Sequence, residues 1–173
     1  KTGHRQIAAV TNASFLSITK ERLRGYRTAL TDNDIPVNED RIKYCHHGGM
    51  ILAEVEEAVS QLMNNTTKPD AILATSDKLT TGCLRVLKAK GINVPNEMGL
   101  VGFSNTDLTE LLDPPLTVIK QPAFEMGQLA TTLLIQLIES KRPVLEMETR
   151  MLATELIIRG SSLSRKGKQK SIA

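Results

Sequence analysis

The sequence has 173 residues, 40% hydrophobic and 24% charged, with a formal net charge of +3. That is about one ordinary domain, long enough to bury a core, and the composition is globular rather than disordered or fibrous. No apolar run reaches the ~18 residues of a transmembrane helix, KTGHRQIAAV has no signal-peptide shape, and Cys45 and Cys83 are too few for a disulfide scaffold. The charge is uneven. Arg165, Lys166, Lys168 and Lys170 lie in the tail GSSLSRKGKQKSIA without an acid, so the rest of the chain is close to neutral. A basic tail suits nucleic acid, and equally suits a frayed, solvated terminus; the expectation is a disordered tail over 163–173.

Short apolar runs alternate with amphipathic segments. Residues 6–11 (QIAAVT) predict a buried strand, and 18–32 a helix with Leu23, Tyr26, Ala29 and Leu30 on one face. Residues 42–45 predict a second strand. Residues 49–63 predict a helix whose face carries Ile51, Leu52, Val55, Val59, Leu62 and Met63. DAILAT at 70–75 is a continuous apolar strand. Ser76 or Asp77 can cap the next helix, which runs to Lys90 before Gly91. Residues 100–103 predict a fourth strand, 124–139 a strongly amphipathic helix, and 144–147 and 151–158 two closing strands. This alternation predicts an α/β fold: an open, mainly parallel sheet with helices on both faces.

In such sheets ligands bind beyond the carboxyl ends of the strands. There the sequence places Asn12, Ser14 and, a turn into the helix, Arg22; then His46 and His47; then Ser76 and Asp77; then Ser104, Asn105 and Asp107. Helix caps and turns want the same small polar residues, so capping competes with a polar cleft as their explanation. Arg22 offers a planar five-donor fork suited to carboxylates or sugar hydroxyls. Its bland alternative is a surface ion pair. Adjacent His46 and His47 point to opposite faces and do not converge on one metal ion. Ser104, His46 and Asp77 could in principle supply a triad, but no G-x-S-x-G elbow, Walker loop or G-x-G-x-x-G is present. The expectation is no metal, no cofactor and no enzyme.

Six segments occur in a fixed order: GHRQIA (3–8), RLRGY (22–26), DAILATSD (70–77), GLVGFSN (99–105), DPPLTVIKQP (113–122) and ELIIRGS (155–161). Together they resemble the lactose-repressor (LacI) family of bacterial transcription regulators, over almost the whole chain to about Ser162. The resemblance implies a periplasmic-binding-protein-like lobe. Residues 1–121 would form the C-terminal lobe of an effector-binding domain, 122–143 a crossing to a remnant helix of the first lobe, and 144–162 the closing strands. The helix-turn-helix and most of the first lobe would be absent. The helix at 124–139 would then lack its natural cover and is expected to dock on another copy or on a rearranged surface.

By the same resemblance Arg22, His46, Ser76, Asp77, Ser104 and Gln121 are the effector-binding candidates. Ser104 stands where the family often has Asp, and Ser76 where it often has Asn. A hydroxyl is a weaker acceptor than a carboxylate, which points toward an anionic effector: a sugar phosphate, a uronate or a small carboxylic acid. The resemblance also implies a homodimer through Thr81, Leu84, Arg85, Leu111 and Leu112, a cytoplasmic location, no membrane, and operator DNA reached only through the absent N-terminal part. The competing reading is a fragment of a solute-binding protein of an uptake system, which shares the fold.

Overall fold

The structure is a computed structural model and describes residues 2–140 and 149–163. In chain order the elements are β1 (Ile7–Asn12), α1 (Ser17–Thr31), β2 (Ile42–Cys45), α2 (Leu52–Asn64), β3 (Ala71–Ala74), α3 (Asp77–Ala89), β4 (Gly99–Phe103), β5 (Thr117–Lys120), α4 (Ala123–Glu139) and β6 (Glu155–Ile157). Short 3-10 turns lie at Glu39–Arg41, Asp107–Glu110 and Gly160–Ser162. The strands form one sheet in the order β2-β1-β3-β4-β5-β6. The first five run parallel, and β6 returns antiparallel to β5 with Ile119 opposite Leu156. This is the open, mainly parallel sheet the alternation predicts.

The runs QIAAVT and DAILAT are apolar at successive positions because both sheet faces carry cover. Ala8, Val10, Ile72, Ala74, Leu100 and Val118 pack with α2 and α3 in the main core. Ala9 points the other way and packs with Leu23, Tyr26, Leu30 and Ile42 under α1. The Tyr26 hydroxyl donates to the Ile7 carbonyl at 2.7 Å and fixes α1 on β1. α3 approaches β4 so closely that a Cβ on Gly102 would lie 2.1 Å from Thr80 Oγ1. Cys45 and Cys83 are both free and fully buried in the main core. Burial pushes the Cys45 thiol up to about 11 and raises that of Cys83 as well.

Three expectations shift. α2 begins at Leu52 rather than at residue 49, because Gly48 and Gly49 take φ values of 63° and 87°. A Cβ on Gly49 would also meet the Leu79 backbone nitrogen at 2.9 Å, so the loop packs tightly on α3. Of the strand expected over 151–158, only Glu155–Ile157 pairs, and Met151 is 93% exposed. The strand expected at 144–147 and the tail beyond Leu163 lie outside the described residues. Cover is also unequal: α2 and α3 close one face, while Leu73, Val101, Phe103 and Ile119 on the α1 side stay half-buried. They line a cavity of about 640 Å³ with Ile7 and Tyr26.

No residue of α4 is buried. Leu129 and Leu133 are partly shielded and line a groove with Leu152 and Thr154, while Phe124 and Ile138 are each 74% exposed. Among the described residues nothing buries the apolar face of this helix.

Candidate functional site

Parallel register brings the carboxyl ends of β1, β3, β4 and β5 to one rim. Arg22, a turn into α1, reaches over it. Its guanidinium lies 3.9 Å from the centre of the Phe103 ring. Nη1 donates to the Thr75 carbonyl, and Nη2 donates to Gln121 Oε1 at 3.2 Å. One cation thus ties α1 to the ends of β3, β4 and β5. Half-burial lowers the Arg22 pKa below the ordinary guanidinium value, yet arginine stays charged in proteins. A desolvated guanidinium on an aromatic face is a strong site for an oxyanion or a polarised hydroxyl.

The other rim residues are paired around it. Ser76 caps α3, its hydroxyl accepting from the Leu79 N–H at 3.4 Å and donating to Asn12 Oδ1 at 3.5 Å. Ser104, 4% exposed, donates to Asp77 Oδ1 at 2.5 Å. The Thr75 and Thr11 hydroxyls meet at 2.7 Å beneath the rim. Asn105 hydrogen-bonds the backbone of Gln121 in both directions, at 2.7 and 2.9 Å. Capping therefore accounts for the Ser76 contact with Leu79, and the Asn12 contact lies outside it. Capping does not explain Arg22 or Gln121, and it explains only in part Ser104, whose hydroxyl accepts the Thr106 N–H at 3.3 Å while donating to Asp77.

The structure joins Arg22 to Gln121, Ser104 to Asp77 and Ser76 to Asn12. It does not bring His46 to them. His46 is exposed at the end of edge strand β2, in a groove with Lys43, Tyr44, Ala53 and Glu57. The Ser-His-Asp arrangement is not assembled, since Ser104 reaches Asp77 with no histidine between them. His47 instead pairs with Glu54 at 2.7 Å. Among the described residues no cluster of three His, Cys, Asp or Glu side chains could hold a metal ion.

Phe103 and Asn105 complete the rim. Phe103, in the segment GLVGFSN, is the surface under Arg22, a pairing that no local sequence signal marks. The 640 Å³ cavity shares Arg22 and Phe103 with the rim but runs back along α1 and the segment Thr2–Arg5. Its walls are mostly apolar, so the polar chemistry belongs to the rim.

The dimer candidates divide. Thr81 and Arg85 lie exposed on α3, and Leu111 is 77% exposed. Leu84 is 5% exposed and belongs to the main core, because α3 buries a wide face that includes Leu79, Cys83 and Leu87. Leu112 is half-buried against that core. Leu108, 65% exposed, stands beside Leu111 on the 3-10 turn. Arg159 braces this turn, donating to Thr109 Oγ1 and the Leu116 carbonyl at 3.0 Å each.

The profile of the periplasmic binding protein-like domain matches residues 1–162. The chain is 33% identical over 160 residues to the HTH-type transcriptional repressor CytR of Escherichia coli K12, covering 92% of this chain and 46% of that protein. Among solved structures, the transcriptional regulator CelR–cellobiose complex superposes with a TM-score of 0.80 at 31% identity, over 93% of this chain and 48% of that one. A sugar-binding LacI-family transcriptional regulator from Escherichia coli, complexed with phosphate, superposes with a TM-score of 0.78 at 27% identity, over 94% of this chain and 56% of that one. The chain thus spans about half the length of the curated relatives it matches. It belongs to the periplasmic binding protein-like domain family, and its relatives there are LacI-type transcription regulators.

Proposed function

We propose that this chain is the effector-binding and dimerisation portion of a LacI-type transcription regulator, sensing a sugar or related small molecule. The observation that carries the reading is Arg22, stacked on Phe103 and bonded to Gln121 on the carboxyl rim of the sheet. Effector bound between two lobes would change their angle and so reposition DNA-reading heads outside this chain. Operator DNA is then a partner of those heads, and the chain acts in the cytoplasm with no catalytic role of its own. Among the described residues no helix is long and apolar enough to cross a membrane. Thr81, Arg85, Leu108 and Leu111 are the exposed residues offered for a second copy.

The effector class we favour is anionic: a sugar phosphate, a uronate or a small carboxylic acid. Arg22 is a half-buried cation on this rim, and the Asp77 carboxylate already accepts a hydrogen bond from Ser104. Of the two solved relatives described above, one carries cellobiose and the other phosphate. Calorimetry on the two-lobed protein with matched neutral sugars, sugar phosphates and uronates tests this. The expected result is binding of an acid, weakened about 10- to 100-fold by Arg22→Ala, the range for a lost charge-assisted hydrogen bond. Binding of neutral sugars alone would remove the anionic assignment.

A further inference from the structure

β4 and β5 stop pairing at Phe103 and Ile119, after which the Ser104 N–H donates to the Ile119 carbonyl at 3.3 Å. Two residues later the chain leaves the sheet through Gln121 and Pro122 to enter α4. At that exit the Asn105 side chain replaces the missing strand neighbour. Its Nδ2 donates to the Gln121 carbonyl at 2.7 Å, and its Oδ1 accepts the Gln121 N–H at 2.9 Å. A single primary amide thus satisfies both main-chain groups of Gln121, as a strand partner would.

The Gln121 side chain leaves this fixed backbone and accepts from Arg22 Nη2 at 3.2 Å. Arg22 in turn lies on Phe103, two residues before Asn105. The four residues close a ring: Asn105 to Gln121 backbone, Gln121 side chain to Arg22, Arg22 to Phe103, and Phe103 along the chain to Asn105. We infer that Asn105 is a positioning residue: by clamping the Gln121 backbone where the chain departs for α4, it holds Arg22 flat on Phe103 in the geometry the rim presents to a ligand. Thr75 and Gln121 occupy two of the five Arg22 N–H groups, so an effector oxygen can take an open one or displace Gln121 Oε1. Asn105 would keep the backbone in place while the side chain lets go, linking occupancy of the rim to the path of the exiting strand. That last link rests on the rim being the effector site; the placement of Gln121 and Arg22 does not.

Nuclear magnetic resonance on the 173-residue chain tests the placement with no ligand added. Asn105→Ala should speed exchange of the Gln121 amide about tenfold, as a lost hydrogen bond does, while the amides of β3 keep their protection. The Arg22 side-chain protons, shifted upfield by the Phe103 ring, should move toward their ordinary positions. Asn105→Asp retains the acceptor for the Gln121 N–H and loses the donor, so both readings should fall between wild type and alanine. Unchanged Gln121 exchange overturns the inference. So does faster exchange with an unmoved Arg22 shift, because the asparagine would then only trim a local turn. If the alanine variant loses β3 protection as well, the aspartate variant decides on the same two readings. Failure of every compound to bind would count against the proposed function and leave this result standing.

Discussion

The two faces of the sheet start from the same alternation of apolar side chains and end differently. Beneath α2 and α3, Val10, Ile72, Leu100, Leu116 and Val118 are at most 2% exposed. On the α1 face, Leu73, Val101, Phe103 and Ile119 remain half-buried, with one helix to cover four strands. The closed face carries the stability and the open one adjoins the chemistry, since Arg22 and Phe103 belong to both the open face and the rim. Side chains that are only partly packed are freer to rearrange around a ligand or a neighbouring segment.

Deleting equivalent bulk from each face should separate the two most widely. Leu100→Ala on the closed side should cost about 3–5 kcal/mol, because its rigid surroundings leave a cavity. Leu73→Ala on the open side should cost less than about 1.5 kcal/mol, since the site is already partly solvated. Urea unfolding followed by circular dichroism measures both, and equal costs would mean that the open face is packed. A glycine pair sharpens the contrast at smaller scale. Gly102→Ala forces a Cβ onto Thr80 and should destabilise by about 1–3 kcal/mol. Gly25 in α1 has nothing within 4 Å of its would-be Cβ, so Gly25→Ala should stabilise by about 0.4–1 kcal/mol. Opposite signs in the same unfolding assay are the expected outcome.

The smallest effect lies at the start of α2. The Glu54 carboxylate accepts the His47 backbone N–H at 3.0 Å and pairs with His47 Nδ1 at 2.7 Å. The backbone hydrogen bond first, then the side chain, holds its pKa below the usual carboxylate range. A depressed folded-state pKa contributes stability that is present above the unfolded value, ~4.3, and is lost as pH falls through the folded one. Glu54→Gln should therefore lower stability slightly at neutral pH and flatten its decline on acidification. An unchanged acid limb in Tm-against-pH curves would contradict the pairing.

Strands β1 to β4 and helices α1 to α3 were legible in the sequence because their signals are local. Period, cap and breaker lie within a dozen residues, as with Ser76 ahead of α3. The site was legible in unequal parts. Arg22 and Gln121 stand 99 residues apart and meet only through sheet order, so the strand-end rule reached Arg22 while Gln121 came from the resemblance alone. The Asn105 clamp has the same long-range origin, and asparagine after a strand reads first as a turn residue. The placement of His46 in the groove with Lys43 and Glu57 was illegible for a different reason. The direction of the last side chain on a short edge strand depends on twist and on the following Gly48-Gly49 turn, and neither is visible in a residue list. Leu84 was an interface candidate by the resemblance alone; the structure packs it in the main core, because how wide a face a helix buries is set by its neighbours.

The two buried thiols carry a consequence of a different kind. Cys45 and Cys83 sit in the closed half of the molecule, with protonation favoured by their surroundings. Neither presents the thiolate that oxidants and alkylating agents attack. The folded chain is chemically quiet toward such reagents, and its thiols become reactive only when the main core opens. Their modification rate therefore clocks excursions of the α2–α3 side, with no dye or engineered probe, in a chain that lacks tryptophan.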